Sequence, residues 1–89
     1  MGLQFPNRSR SLDNDGLAIR FSGYDGMFEI RFSMDLVTLE RLTGAPAAAD
    51  DASLTAFDGI RTKVETVAIK TYQRSRKSSY RLAASDFGY

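Results

Sequence analysis

The residues best equipped for chemistry in this sequence are its cations. Residues 61–81 carry Arg61, Lys63, Lys70, Arg74, Arg76, Lys77 and Arg81 against a single acid, Glu65, a local charge of +6. Residues 1–60 carry five basic and nine acidic side chains, a local −4, so the whole chain is only +1. Ser75, Ser78 and Ser79 lie among the cations, with Tyr72 and Tyr80 on either side. Such donors can hold phosphate oxygens, and tyrosine rings can stack on the bases of a single strand. Against this, a charged run is more often a solvated helix end, and nucleic-acid domains tend to be far more basic overall. A near-neutral balance also argues against strong non-specific binding.

A second set lies on a β-hairpin. Arg20 and Arg31 point to one face of it, with Glu29 close by, and Arg81 joins them if a C-terminal strand pairs alongside. Guanidiniums on a sheet face can hold a phosphate or a carboxylate of a partner. They can equally block unwanted strand pairing, the commoner use of charge on an outer face.

Catalytic equipment is thin. With no cysteine there is no thiol nucleophile, disulfide or thiolate metal site, and with no histidine the usual proton shuttle at neutral pH is missing. The seven glycines are scattered and form no phosphate loop. Asp50 and Asp51 are adjacent, a pairing more typical of helix capping than of acid–base work, since their side chains diverge. No oxygen ligands recur at a calcium or magnesium spacing. No catalytic residue, cofactor or metal is therefore expected. The remote enzyme reading is a carboxylate, Lys or Tyr site assembled only in three dimensions.

Behind these residues stand the elements that must position them. An 89-residue chain with 43% hydrophobic and 26% charged residues fits one globular domain, residues 1–89, as a monomer or homodimer. No apolar run approaches the roughly 18 residues a membrane span needs, and the lack of cysteine suits a cytoplasmic setting. Residues 1–15 read as an extended polar arm rich in Asn, Ser, Asp and Gly. Leu17, Ile19 and Phe21, then Phe28, Ile30 and Phe32, alternate with polar or small residues around Asp25-Gly26, a favoured hairpin centre. That centre pairs Tyr24 with Met27, Phe21 with Ile30, Ile19 with Phe32 and Arg20 with Arg31.

Leu36, Leu39 and Leu42 then recur at helical spacing, capped by Ser33 or Asp35 and stopped by Gly44 and Pro46. Residues 44–50 form a linker. Leu54, Phe57, Ile60, Val64, Val67, Ala68 and Tyr72 stripe a longer helix, capped by Asp50, Asp51 or Ser53, in which Gly59 invites a break. Tyr80, Leu82 and Ala84 alternate again as a third strand. The expected fold is α+β, in the order β-β-α-α-β: a small antiparallel sheet, hairpin plus C-terminal strand, packed against two helices.

Four fragments in this order, Phe5-Pro6-Asn7-Arg8-Ser9-Arg10-Ser11, Arg20-Phe21-Ser22-Gly23-Tyr24-Asp25-Gly26, Ala56-Phe57-Asp58 and Ser79-Tyr80-Arg81-Leu82-Ala83-Ala84-Ser85-Asp86-Phe87, span almost the whole chain. Together they resemble an uncharacterised bacterial family catalogued as domain of unknown function 1488. Ser22 stands where that family commonly has an aromatic residue, and Ser78 near a common glycine. The resemblance implies a small bacterial α+β domain and supplies no activity and no catalytic residue. It also implies a structural Phe5-Pro6-Asn7, with Phe5 packed, Pro6 fixing a turn and Asn7 bonded to backbone.

The functional expectation is a non-enzymatic accessory or binding module whose contact residues come from Arg20, Arg31, Arg74, Arg76, Lys77 and Arg81. Its partner is an unidentified protein. Weak nucleic-acid contact through residues 61–81 is the alternative.

Overall fold

Two eight-residue strands, β2 (Ala18–Asp25) and β3 (Phe28–Asp35), form the hairpin that the period-two pattern predicts. They belong to a computed structural model that describes residues 2–13, 15–44 and 51–89. Ile19, Phe21, Ile30, Phe32 and Met34 point inward and are all buried. The register differs from the expected one by two residues: Phe21 pairs with Phe32, Ile19 with Met34 and Tyr24 with Glu29. The loop is Gly26-Met27, with positive φ (+63°) at Gly26 and not at Met27, as in a type II′ turn with glycine at its first central position.

A slip of two keeps every side chain on its face, so Ile19, Phe21, Ile30 and Phe32 stay buried while every pair changes. Arg20 now faces Ser33 and Arg31 faces Ser22, which removes the expected like-charge pair. Met27 and Phe28 are carried out to the hairpin tip, 95% and 75% exposed, and Leu17 ahead of the strand is exposed too.

The N-terminal arm lies along the edge of β2 away from β3. Gln4 exchanges two 2.8 Å backbone hydrogen bonds with Tyr24, and β1 (Ser11–Leu12) pairs antiparallel with β2. Between these contacts Leu3 and Phe5 pack over Gly23, where a Cβ would stand 2.8 Å from Leu3 Cδ1 and 2.9 Å from Phe5 Cε1. Glycine in mid-strand is thus the slot for the arm's apolar residues.

β4 (Ser79–Leu82) completes a sheet of order β1-β2-β3-β4. It runs parallel to β3, not antiparallel as expected. Parallel neighbours need a crossover, and the helices between β3 and β4 provide it. Helix α1 (Leu36–Thr43) ends on Gly44, whose φ of 75° lets its N–H reach the Glu40 carbonyl at 2.8 Å. Asp35 sits at its N-cap position but makes no side-chain capping bond. The linker residues 45–49 and the proposed cap Asp50 lie outside the described residues. The long helix breaks after Gly59 into α2 (Asp51–Gly59) and α3 (Arg61–Ser75), so the sheet meets three helices among the described residues, one more than expected. The last strand stops at Leu82, short of the alternation through Ser85. There the Ala83 N–H bonds the Asp86 carboxylate at 2.7 Å and a 3-10 turn, Ala84–Phe87, begins.

The α+β architecture therefore stands. Phe57, Val64, Ala68 and Tyr72 from the helices, and Leu3 from the arm, seal one face of the sheet around Phe21 and Phe32. Among the described residues no element packs over the other.

Candidate functional site

The seven-cation segment is not one surface. Arg61 is the clearest case: its side chain is 1% exposed, beneath the arm. Its Nε donates to Glu65 at 2.7 Å, and its terminal nitrogens donate to the carbonyls of Asn7, Arg8 and Ser9 at 3.3–3.4 Å. The guanidinium also lies 5.5 Å from the Phe57 ring centre and 5.8 Å from that of Phe21. Arg10 adds a two-pronged bond to Asp58 at 2.9 and 2.8 Å, which raises the Arg10 pKa further above its ordinary value. Asn7 Oδ1 accepts from the Ser9 N–H at 3.0 Å. The Phe5–Ser11 fragment is thus a docked strap.

At the end of α3 the cations divide again. Arg76 closes the helix in the left-handed region (φ 50°), with its guanidinium 5.5 Å from the Tyr72 ring centre and 3.9 Å from Asp25. Tyr72 is buried and donates to Asp25 at 2.6 Å, a bond that raises its pKa above the ordinary tyrosine value. Tyr80 stacks on Phe32 with ring centres 5.3 Å apart, and its hydroxyl accepts from the Lys77 N–H at 2.6 Å. Both rings proposed as base-stacking platforms are therefore engaged inside the protein. Arg74 and Lys77 remain exposed, with no acidic partner among the described residues.

The open sheet face has a different order. Its register sets Ser22, Arg31 and Ser79 in one row across β2, β3 and β4. The next row is Ser11, Arg20, Ser33 and Arg81 across all four strands. Arginine and serine alternate in both directions, so no two guanidiniums stand directly opposed and each has hydroxyls beside it. The face forms a shallow depression lined by the three arginines, Ser22, Ser33, Ser79 and Glu29. Arg81 bonds Asp35 at 2.6 Å, which raises its pKa above the ordinary arginine value. Glu29 accepts from the Ser22 hydroxyl at 2.8 Å and lies 3.7 Å from Arg31. Arg20 is exposed and has no acidic partner among the described residues.

The structure thus brings together Arg20, Arg31 and Arg81 and leaves Arg74, Arg76 and Lys77 at a separate helix end. Ser11 and Ser33 complete the alternation and were readable from period-two spacing alone once the register is known. Asp51 is exposed at the start of α2, while its neighbour Asp50 lies outside the described residues. Among the described residues no three His, Cys, Asp or Glu gather in a way that could hold a metal ion, and no helix is long and apolar enough to cross a membrane.

A family model described as "Protein of unknown function (DUF1488)" matches residues 3–83, and the chain belongs to that family. No curated protein and no solved structure matches.

Proposed function

We propose that this member of the DUF1488 family is a non-enzymatic binding module that meets an anionic partner on the open face of its sheet. One observation carries the reading: three strands contribute Arg20, Arg31 and Arg81 to a single uncovered face, interleaved with serines. Exposed like-charged arginines repel at close range, and an anionic group laid between them relieves this. The proposed setting is a bacterial cytoplasm, on the family resemblance and the absence of cysteine.

The nucleic-acid alternative through residues 61–81 has less support. Arg61 and Tyr72 are buried, and Tyr80 is half-buried and stacked on Phe32. Single-stranded RNA titrated at two salt concentrations is expected to show no saturable binding even at the lower one. Saturable binding there would favour this alternative.

The test of the main reading is a pull-down from bacterial lysate with three baits. One is the wild-type chain, one carries Arg20→Glu and Arg31→Glu, and one carries Arg74→Glu, Arg76→Glu and Lys77→Glu. Partners recovered by the first and third but lost from the second support the reading. Equal recovery by all three sinks it.

A further inference from the structure

We infer that the anionic group taken by the open sheet face is a phosphate, held between Arg20, Arg31 and Arg81 over Ser33. This rests on the binding-module reading above and adds the chemical class of the ligand. Strand spacing puts Arg20 and Arg81 about 10 Å apart at their Cα atoms, on either side of Ser33. Arg31 stands one two-residue step along β3 from Ser33, about 7 Å away. The Cα atoms of the three arginines therefore mark a triangle, with Ser33 at the middle of one side and Ser22 and Ser79 flanking the opposite corner, a layout suited to an anion with several acceptor oxygens.

A carboxylate fits this triangle poorly. One guanidinium already takes both of its oxygens in a bidentate pair, and its single charge is then shared among three cations. A phosphate monoester offers three acceptor oxygens and a charge of about −1.5 to −2 at neutral pH. The groups facing such a ligand are Arg20 from β2, Glu29, Arg31 and Asp35 from β3, and Arg81 from β4, with Asp13 and Asp15 at the edge. Among the first five the balance is +1. Arg81 is 72% exposed in its bond to Asp35, and an ion pair in water contributes little, so this guanidinium can turn to a phosphate at small cost. A base-stacking strand relies on exposed rings, and among the described strand residues that face this side the one ring is the half-buried Tyr24.

The chain's lack of histidine makes the ligand class readable by pH. Histidine is the side chain whose ordinary pKa falls in the window between about pH 5.5 and 7, so its absence leaves the ligand's own proton as the titration to follow there. A phosphate monoester loses its second proton near pH 6. Affinity for the monoester should therefore rise across this window, whereas affinity for a carboxylate should stay flat.

The experiment is an amide NMR titration of the full chain at constant ionic strength with inorganic phosphate, phenyl phosphate and acetate. The expected result is saturable shifts at Ser22, Arg31, Ser33 and Ser79 with either phosphate, several-fold tighter at pH 7 than at pH 5.5 for phenyl phosphate. Stronger binding of inorganic phosphate identifies a free ion as the ligand, and stronger binding of phenyl phosphate an esterified group. Arg20→Gln and Arg31→Gln should each weaken binding about tenfold, with unchanged melting temperature as proof of folding. Acetate binding as well as phosphate, a flat pH profile, or shifts confined to Lys70–Lys77 would each overturn the inference. Should it fall while the pull-down still depends on Arg20 and Arg31, the binding module stands and only its ligand class is wrong. If the pull-down is insensitive to these residues as well, both readings fall.

Discussion

Arg61 and Arg20 lie on opposite sides of one sheet, and the contrast between them shows what burial does to a cation. Under the helices and the arm, every nitrogen of Arg61 has an acceptor and its plane lies beside two aromatic rings. On the open side Arg20 has serines on both flanks and forms no ion pair among the described residues. Water satisfies Arg20 at no cost. Arg61 has no water to turn to, so the protein must supply each partner, and it does so with the carbonyls of its own N-terminal strap. The covered side fixes structure, and the open side is left to solvent.

The largest test of this contrast is removal of Arg61. Arg61→Met should destabilise the domain by about 3–5 kcal/mol in urea unfolding, because the strap carbonyls and Glu65 lose their donor in a buried place. Arg61→Lys should recover little, since one ammonium cannot reach acceptors spread over a planar fork. A loss under about 1 kcal/mol for Arg61→Met would break the comparison.

Arg61 was also the residue that sequence reasoning placed worst, yet a signal existed. Residues 61, 64, 68 and 72 share one helical stripe, three of them apolar and buried, so the arginine stands at a core position. Grouping it with its charged neighbours hid that spacing. The hairpin shows a complementary limit. Period-two alternation fixes which face a residue takes, and it cannot separate registers that differ by two. Only the turn decides between them, and Asp25-Gly26 and Gly26-Met27 both place glycine at a usable position. Alternation is blind to strand direction as well, so the parallel pairing of β4 was not legible. Gly44 as the stop of α1 was legible because the left-handed conformation there favours glycine, and Gly59 marked the break by its low helix propensity.

The strap can be attacked from its other side. Gly23→Ala places a methyl group in the space held by Leu3 and Phe5, and should destabilise by about 1–3 kcal/mol. Leu3→Ala should cost less in the Gly23→Ala background than in the wild type, a coupling that a double-mutant cycle measures. Hydrogen exchange at the Gln4 and Tyr24 amides should quicken in Gly23→Ala. Unchanged protection there would mean that the arm does not depend on this slot.

A smaller effect is expected at Tyr72, where the covered side meets the hairpin end. Tyr72→Phe removes the bond to Asp25 and should destabilise by about 1–2 kcal/mol at neutral pH. The folded state raises the Tyr72 pKa, so it favours the protonated phenol. That stabilisation is complete below the ordinary tyrosine value near 10 and is lost as pH rises through the folded-state value. The wild type should therefore lose stability more steeply than Tyr72→Phe above pH 10, and parallel curves would contradict the assigned bond.

The smallest effect on stability is expected on the open face, and its smallness is what gives it meaning. Arg20→Gln and Arg31→Gln should each leave unfolding free energy within about 0.5 kcal/mol of the wild type. Arg81→Gln, which gives up an exposed ion pair with Asp35, should cost no more than about 1 kcal/mol. A fold that gains nothing from three arginines on one face has no structural use for their alternation with serine. If the substitutions are instead strongly destabilising, this face is a structural element like the one beneath the helices. If stability holds while partner recovery falls, the two sides of the sheet divide the work between holding the chain and meeting its partner.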